Sequence, residues 1–312
     1  MKIYFVDTVH PILWEQLSKN SFNCVDATNL SKTSILEIGN EVEGLVIRSR
    51  FTLDVSTLIK FPNLKFIARS GSGLENIDVE YCTKKDIKVF NSPEGNRTAV
   101  AEHAIGMLLS LFNNLKRGDE EVKSGIWKRE ENRGIEIEGK TIGIVGFGNT
   151  GEALAKRLQG FDCTILAYDK YKTGFENNYV NQCTLSKIKQ QADVLSFHVP
   201  YNEETHYYFN EDFLESMAKP FYLINTSRGK VVKTDSVIEG LKSKKILGAC
   251  IDVLEFESSS FEKIDPSFKL ALSFLKEQDN VILSPHVSGW TSESYVKLSS
   301  VLADKILAAF NS

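Results

Sequence analysis

The chain has 312 residues, with 37 basic and 41 acidic side chains; the resulting formal charge of −4 argues against a protein held to nucleic acid or anionic lipid by bulk charge. Its 42% hydrophobic and 25% charged content is that of an ordinary folded protein, and 20 glycines with 7 prolines are too few for a collagen-like or low-complexity chain. Single cores stop growing near about 250–300 residues, so two domains are expected. Five cysteines (Cys24, Cys82, Cys163, Cys183, Cys250) form no C-x-x-C pair, which suggests neither a disulfide framework nor a metal site. They predict free thiols in a reducing, cytoplasmic setting. The opening Met1-Lys2-Ile3-Tyr4-Phe5-Val6-Asp7 reads as a strand rather than a leader, and no stretch approaches the ~20 apolar residues of a membrane span.

Short apolar runs alternate with helical-period segments, the pattern of β-α-β units and a parallel sheet. Strands are predicted at Lys2–Phe5, Asn23–Asp26, Gly44–Ile47, Lys65–Ala68 and Lys88–Phe90, with a helix opening at Pro11. The turn formers Asn91-Ser92-Pro93-Glu94-Gly95-Asn96 predict a linker and a domain boundary near Asn96. A helix is predicted over Thr98–Leu115, capped by Thr98 and apolar almost all round. That composition fits a central core helix, or one shared between domains or subunits. Further strands are predicted at Thr141–Val145, Thr164–Tyr168, Val194–Phe197, Phe221–Asn225, Ile246–Ile251 and Val281–Leu283, then a polar Ser-rich loop within Glu255–Asp265 and a last helix, Ser294–Phe310.

Gly146-Phe147-Gly148-Asn149-Thr150-Gly151 directly follows the apolar run Ile142–Val145 and opens a helical stretch. A bare G-x-G-x-x-G is weak, but this context suits a pyrophosphate cradle: a tight turn, a bare backbone approach, and a helix N-terminus offering free N–H groups. Asp169 ends the next strand 18 residues beyond Gly151, placed to accept hydrogen bonds from ribose hydroxyls and to repel a 2′-phosphate. The reading is a dinucleotide site preferring NAD, although Lys170 and Lys172 lie close enough to receive that phosphate.

In open parallel sheets, ligands lie beyond the carboxyl ends of the strands. Three predicted strands run there into Arg228, into Asp252 and Glu257, and into His286. An arginine fork holds a carboxylate, a histidine exchanges a proton near neutral pH, and a carboxylate behind it fixes the tautomer. Each has a plain alternative: Arg228 as a surface charge, Glu257 in a solvated loop, His286 as a satisfied histidine beside a proline turn. Their convergence on one nucleotide-binding sheet favours chemistry.

The sequence resembles the D-isomer-specific 2-hydroxyacid dehydrogenases, and among them the short 3-phosphoglycerate dehydrogenases. The likeness rests on Ala68–Asp78, Asn91–Asn96, Ala101-Glu102-His103, the glycine fingerprint, His198-Val199-Pro200, Asn225–Gly229 and Ser284-Pro285-His286, in that order over nearly the whole chain. It implies two doubly wound parallel-sheet α/β domains, with a Rossmann cofactor domain (98–287) inserted into a flavodoxin-like substrate domain (1–97 and 288–312). It carries the catalytic set onto Arg228, Glu257 and His286. Cofactor contacts are implied for Gly146, Gly148, Asn149, Thr150, Gly151, Asp169, His198, Pro200, Thr226, Asp252, Ser288 and Gly289, and substrate contacts for Arg48, Arg50, Arg69, Ser70, Gly71, Ser72, Gly73 and Asn96. There are departures: Glu257 is followed by Ser258 where the family usually has Pro, and Ser258–Asn280 is longer than usual. Glu255 therefore remains an alternative partner of His286, though the spacing from Arg228 favours Glu257.

The resemblance implies oxidation of a D-2-hydroxy acid: Arg228 holds the carboxylate or C2 oxygen, His286 takes the hydroxyl proton, Glu257 supports the imidazolium, and the C2 hydride passes to nicotinamide. Forked arginines at Arg48, Arg50 and Arg69 suit a phosphorylated acid; the 2-oxo acids hydroxypyruvate and glyoxylate, or a neutral 2-hydroxy acid, are the alternatives. A dinucleotide-sensing corepressor is the reading from another class, but no DNA-binding motif is present. A homodimer through 98–138, including Trp127, is implied, and at this length no regulatory domain for serine feedback is expected. His103 and His206 have no evident chemical setting in the sequence.

Overall fold

A computed structural model describes residues 1–257, 265 and 269–310. The chain divides into two compact units, Met1–Arg97 with Trp290–Ser312, and Thr98–Gly289.

The first unit holds β1 (Lys2–Phe5), α1 (Pro11–Lys19), β2 (Asn23–Asp26), α2 (Lys32–Glu37), β3 (Gly44–Ile47), α3 (Val55–Leu58), β4 (Phe66–Arg69), α4 (Val79–Lys84) and β5 (Lys88–Asn91). Its strands form a parallel sheet in the order β2-β1-β3-β4-β5, the flavodoxin-like arrangement. The central strands β3 and β4 are wholly buried, so they read as unbroken apolar runs rather than alternating ones.

Helix α5 runs from Pro93 to Phe112, and α6 from Leu115 to Lys123. Two expectations are corrected here. The segment Asn91–Asn96 is not a linker: Asn91 ends β5 and Pro93 opens the helix. Proline lacks an N–H that the first turn would leave unpaired anyway, and Glu94 sits where the helix dipole favours an anion, so the same residues that signal a turn also start a helix. The helix also stops before Leu115, because Asn114 adopts the left-handed conformation (φ 50°) that separates α5 from α6.

The second unit contains β6 (Thr141–Val145), α7 (Asn149–Leu158), β7 (Thr164–Tyr168), β8 (Asn181–Gln182), α8 (Leu185–Gln191), β9 (Val194–Phe197), α9 (Glu211–Ser216), β10 (Phe221–Asn225), α10 (Thr234–Lys242), β11 (Ile246–Ile251), α11 (Lys269–Lys276) and β12 (Val281–Leu283). The seven parallel strands run β12-β11-β10-β9-β6-β7-β8, which is doubly wound about a switch point between β6 and β9. One face is covered by α5, whose Ala101, Ala104, Leu108 and Phe112 share a core with Ile142, Ile144, Ile224 and Cys250. Helix α12 (Ser292–Phe310) belongs to the first unit, where Leu302, Ala303 and Ile306 pack with Ile3, Phe5 and Phe66. The Ser-rich stretch predicted as a loop, 258–260, lies outside the described residues.

Strand register aligns the ends of the second sheet. Val145 pairs with Tyr168 and Phe197, Phe197 with Asn225, Asn225 with Ile251, and Ile251 with Leu283. The next residues, Asp169, Gly146, His198, Thr226, Asp252 and Ser284, therefore stand in one row along the carboxyl edge of the sheet.

Candidate active site

The fingerprint loop fits a dinucleotide. Gly146 has φ +94°, and a Cβ there would lie 2.6 Å from the His198 carbonyl; a Cβ at Gly151 would lie 2.1 Å from the Gly146 carbonyl. Gly148 differs from both: nothing lies within 4 Å of its Cβ position, leaving an open cradle at the N-terminus of α7, where Asn149 and Thr150 begin the helix. Asp169 Oδ2 accepts from the Phe147 N–H (2.7 Å), and Oδ1 accepts from the N–H groups of Tyr171 and Lys172 (both 2.9 Å). Burial pushes this carboxyl upward, but the three backbone donors outweigh it and hold the group below the usual carboxylate range. The neighbouring lysines are engaged: Lys170 with Glu204 (2.9 Å) and Lys172 with Glu152 (3.4 Å).

Behind the cradle, His198 is buried, with Nε2 2.8 Å from Ser196 Oγ and Nδ1 3.2 Å from Thr150 Oγ1. Burial alone pushes its pKa down to about 4, so it is neutral at physiological pH. Pro200 accepts a hydrogen bond at its carbonyl from Thr205 Oγ1 (2.6 Å). Thr226 Oγ1 is buried without a partner among the described residues, a polar atom that a bound ligand would satisfy.

Of the residues predicted at the three strand ends, Glu257 and His286 meet within this unit. His286 Nδ1 lies 2.6 Å from Glu257 Oε2, and Glu257 Oε1 accepts from the Leu254 N–H. The alternative partner, Glu255, is used elsewhere: its Oε1 accepts from the Thr234 N–H at the start of α10 (2.9 Å), and it bonds the Tyr207 hydroxyl. Asn225 forms a turn around Arg228, accepting from Ser227 at Oδ1 and donating from Nδ2 to the Arg228 carbonyl (3.1 Å). The Asp252 carboxylate, fully buried, accepts from Ser284 Oγ (2.6 Å) and the N–H groups of Val287 and Ser288 (both 2.9 Å), which shapes the loop leading to Gly289. His286 itself has φ 54°, an uncommon conformation for a side chain of its size.

In the first unit the predicted substrate residues divide. The guanidinium of Arg48 lies over the Trp290 ring, 4.3 Å from its centroid. Arg50 is corrected: its guanidinium is spent on the carbonyls of Val6 (2.7 Å), Ala27 (3.3 Å) and Leu30 (2.6 Å), where it ties the chain together. Arg69 is buried and folded over Gly71, where a Cβ would meet its Nη1 at 1.6 Å. Ser70 donates its N–H to the Ile47 carbonyl, Ser72 Oγ donates to Asn96 Oδ1 (2.7 Å), and Gly73 follows in the same loop. Sequence reasoning misses Asp7, although a carboxylate ending an apolar strand is a visible signal. Its Oδ2 accepts from the N–H groups of Arg48, Ser49 and Arg50.

The family model for "D-isomer specific 2-hydroxyacid dehydrogenase, NAD binding domain" matches residues 105–288. The chain belongs to this family. As a NAD-dependent D-2-hydroxyacid dehydrogenase it acts on CH–OH groups, and NAD is its cofactor. It is 35% identical over 284 residues to a hydroxypyruvate reductase of Thermotoga maritima, covering 90% of this chain and 89% of the relative. It is 30% identical over 309 residues to a D-3-phosphoglycerate dehydrogenase of Archaeoglobus fulgidus, covering 98% of this chain but 57% of that longer relative. Among solved structures it matches a D-lactate dehydrogenase from Aquifex aeolicus, complexed with NAD and lactic acid, with TM-score 0.83 and 28% identity over 100% of this chain and 96% of that one. For this dehydrogenase no helix among the described residues is long and apolar enough to cross a membrane.

Proposed function

We propose that the chain oxidises D-3-phosphoglycerate with NAD, using Arg228, Glu257 and His286. The observation that carries the chemistry is the 2.6 Å contact between His286 Nδ1 and Glu257. A carboxylate only accepts, so neutral His286 carries its proton on Nδ1 and presents a bare Nε2 to the substrate hydroxyl. Nε2 takes that proton, and Glu257 stabilises the imidazolium that results. Arg228 holds the substrate carboxylate or C2 oxygen in its fork. NAD, when bound, supplies the acceptor for the C2 hydride. The Gly146–Gly151 loop would hold its pyrophosphate and Asp169 its ribose, and Thr226, Asp252, Ser288 and Gly289 would serve the nicotinamide. Because oxidation releases a proton through His286, rising pH favours it and falling pH favours reduction. His286→Ala is expected to abolish turnover while NADH binding, followed by fluorescence, persists; full turnover would overturn the scheme.

Within the first unit, the phosphate is assigned to Arg48, whose guanidinium lies over the Trp290 ring, and to Arg69. A second reading, reduction of hydroxypyruvate or glyoxylate, is favoured by the commitment of Arg50 to backbone carbonyls, which leaves fewer cations for a phosphate. Rates with D-3-phosphoglycerate, D-glycerate and D-lactate separate the two: a preference for the unphosphorylated acids supports the second. We also propose that the unit formed by Met1–Arg97 and Trp290–Ser312 binds the substrate, that NAD is preferred to NADP through Asp169, and that the chain forms a homodimer through 98–138. Trp127 (84% exposed), Leu115 and Val122 leave apolar surface there that a second copy would cover.

A further inference from the structure

We infer that His103, on α5, is a positioning residue for the loop that carries His286. His103 Nε2 lies 2.9 Å from Ser284 Oγ, Ser284 Oγ lies 2.6 Å from Asp252 Oδ1, and the imidazole stands 3.7 Å from the same carboxylate oxygen. Proton counting sets the direction of this chain. The Asp252 carboxylate can only accept, so the single hydroxyl hydrogen of Ser284 is committed to it. Ser284 Oγ must then accept from His103, which fixes the imidazole as a donor at Nε2.

The consequence lies at His286. Asp252 holds the following loop at four points: Ser284 Oγ, the Val287 N–H, the Ser288 N–H, and, through its own carbonyl, the His286 N–H (2.8 Å). These contacts keep His286 in the left-handed conformation that brings its ring to Glu257. His103 anchors the first of the four from outside the loop, so that Ser284 cannot rotate away from Asp252. Hydrogen-bonded chains of this kind strengthen one another, and removing an end member loosens the rest. His103 meets the loop at Ser284, so its effect on His286 passes through that residue.

The inference rests on His286 being the proton-transferring group, and the test separates the two. Variants are assayed with NADH and whichever of hydroxypyruvate, glyoxylate and pyruvate the unaltered chain reduces fastest. Glutamine can place an amide N–H where Nε2 stands, whereas asparagine is too short. His103→Asn is expected to lower kcat about 10-fold with the KM for NADH unchanged, and His103→Gln to recover most of it, because small misplacements of a reacting group are costly. Adding His103→Asn to Ser284→Ala should produce no further loss, since both act on one contact. Equal kcat for the Asn and unaltered proteins, no rescue by Gln, or losses that multiply would overturn the inference. If His286→Ala also retains turnover, the catalytic reading itself fails; if it is dead while His103→Asn is unaffected, only the role of His103 falls.

Discussion

Glu255 and Glu257 are two residues apart in sequence and have different partners. Glu257→Gln removes the charge that supports the imidazolium, so kcat is expected to fall by about 100-fold, with the pH profile displaced, in steady-state assays. Glu255→Ala should leave that profile unchanged and lower stability by about 1 kcal/mol, through the N–H of Thr234 that Glu255 now satisfies; urea unfolding measures this. His198 supplies a different pH effect. Its folded pKa of about 4 lies below the value near 6.5 of an exposed histidine, so between these pH values the unfolded chain binds the additional proton. Stability is complete above about pH 6.5 and declines as pH falls toward 4, by about 3 kcal/mol in total. Urea titrations at pH 7 and pH 5 should show this loss, and His198→Gln should abolish it. The residue types at these positions were legible from the sequence, and the spacing from Arg228 favoured Glu257 as the partner of His286, which the structure shows; because Glu255 and Glu257 offer the same chemistry, only the turn after β11 decides which one faces His286.

At the scale of elements, apolar runs bounded by polar turns marked β1, β3, β6 and β9 at their observed limits, since a buried parallel strand needs a continuous apolar stretch. The two-residue β8 carries no such run: Asn181 and Gln182 are polar and pair only at the sheet edge. The linker expected at Asn91–Asn96 became the start of α5 because Pro and Glu are equally at home in a turn and a first helical turn. Close packing between elements is also invisible along the chain. A Cβ at Gly229 would lie 2.0 Å from the Leu254 carbonyl, in the turn whose Leu254 N–H is held by Glu257. Gly229→Ala is therefore expected to displace that turn and lower kcat by about 10-fold or more, with smaller change in NADH affinity. Unchanged kinetics would show that the turn yields without moving Glu257.

For the whole molecule, covering the exposed apolar residues around Trp127 should produce a dimeric mass by light scattering, and Trp127→Glu with Val122→Glu should shift it toward monomer. A monomeric mass for the unaltered chain would contradict the proposed dimer. The sequence by itself determined the α/β class, the family and the NAD cofactor, and it singled out Arg228, Glu257 and His286 as candidates, because a strand's apolar run and the polar residue ending it are neighbours in the chain. Tertiary structure alone decided that Asp169, Gly146, His198, Thr226, Asp252 and Ser284 share one row, that Arg50 is structural, and that His103 reaches Ser284 from another element. Those facts depend on strand register and helix packing between residues up to 181 positions apart, which local pattern does not encode.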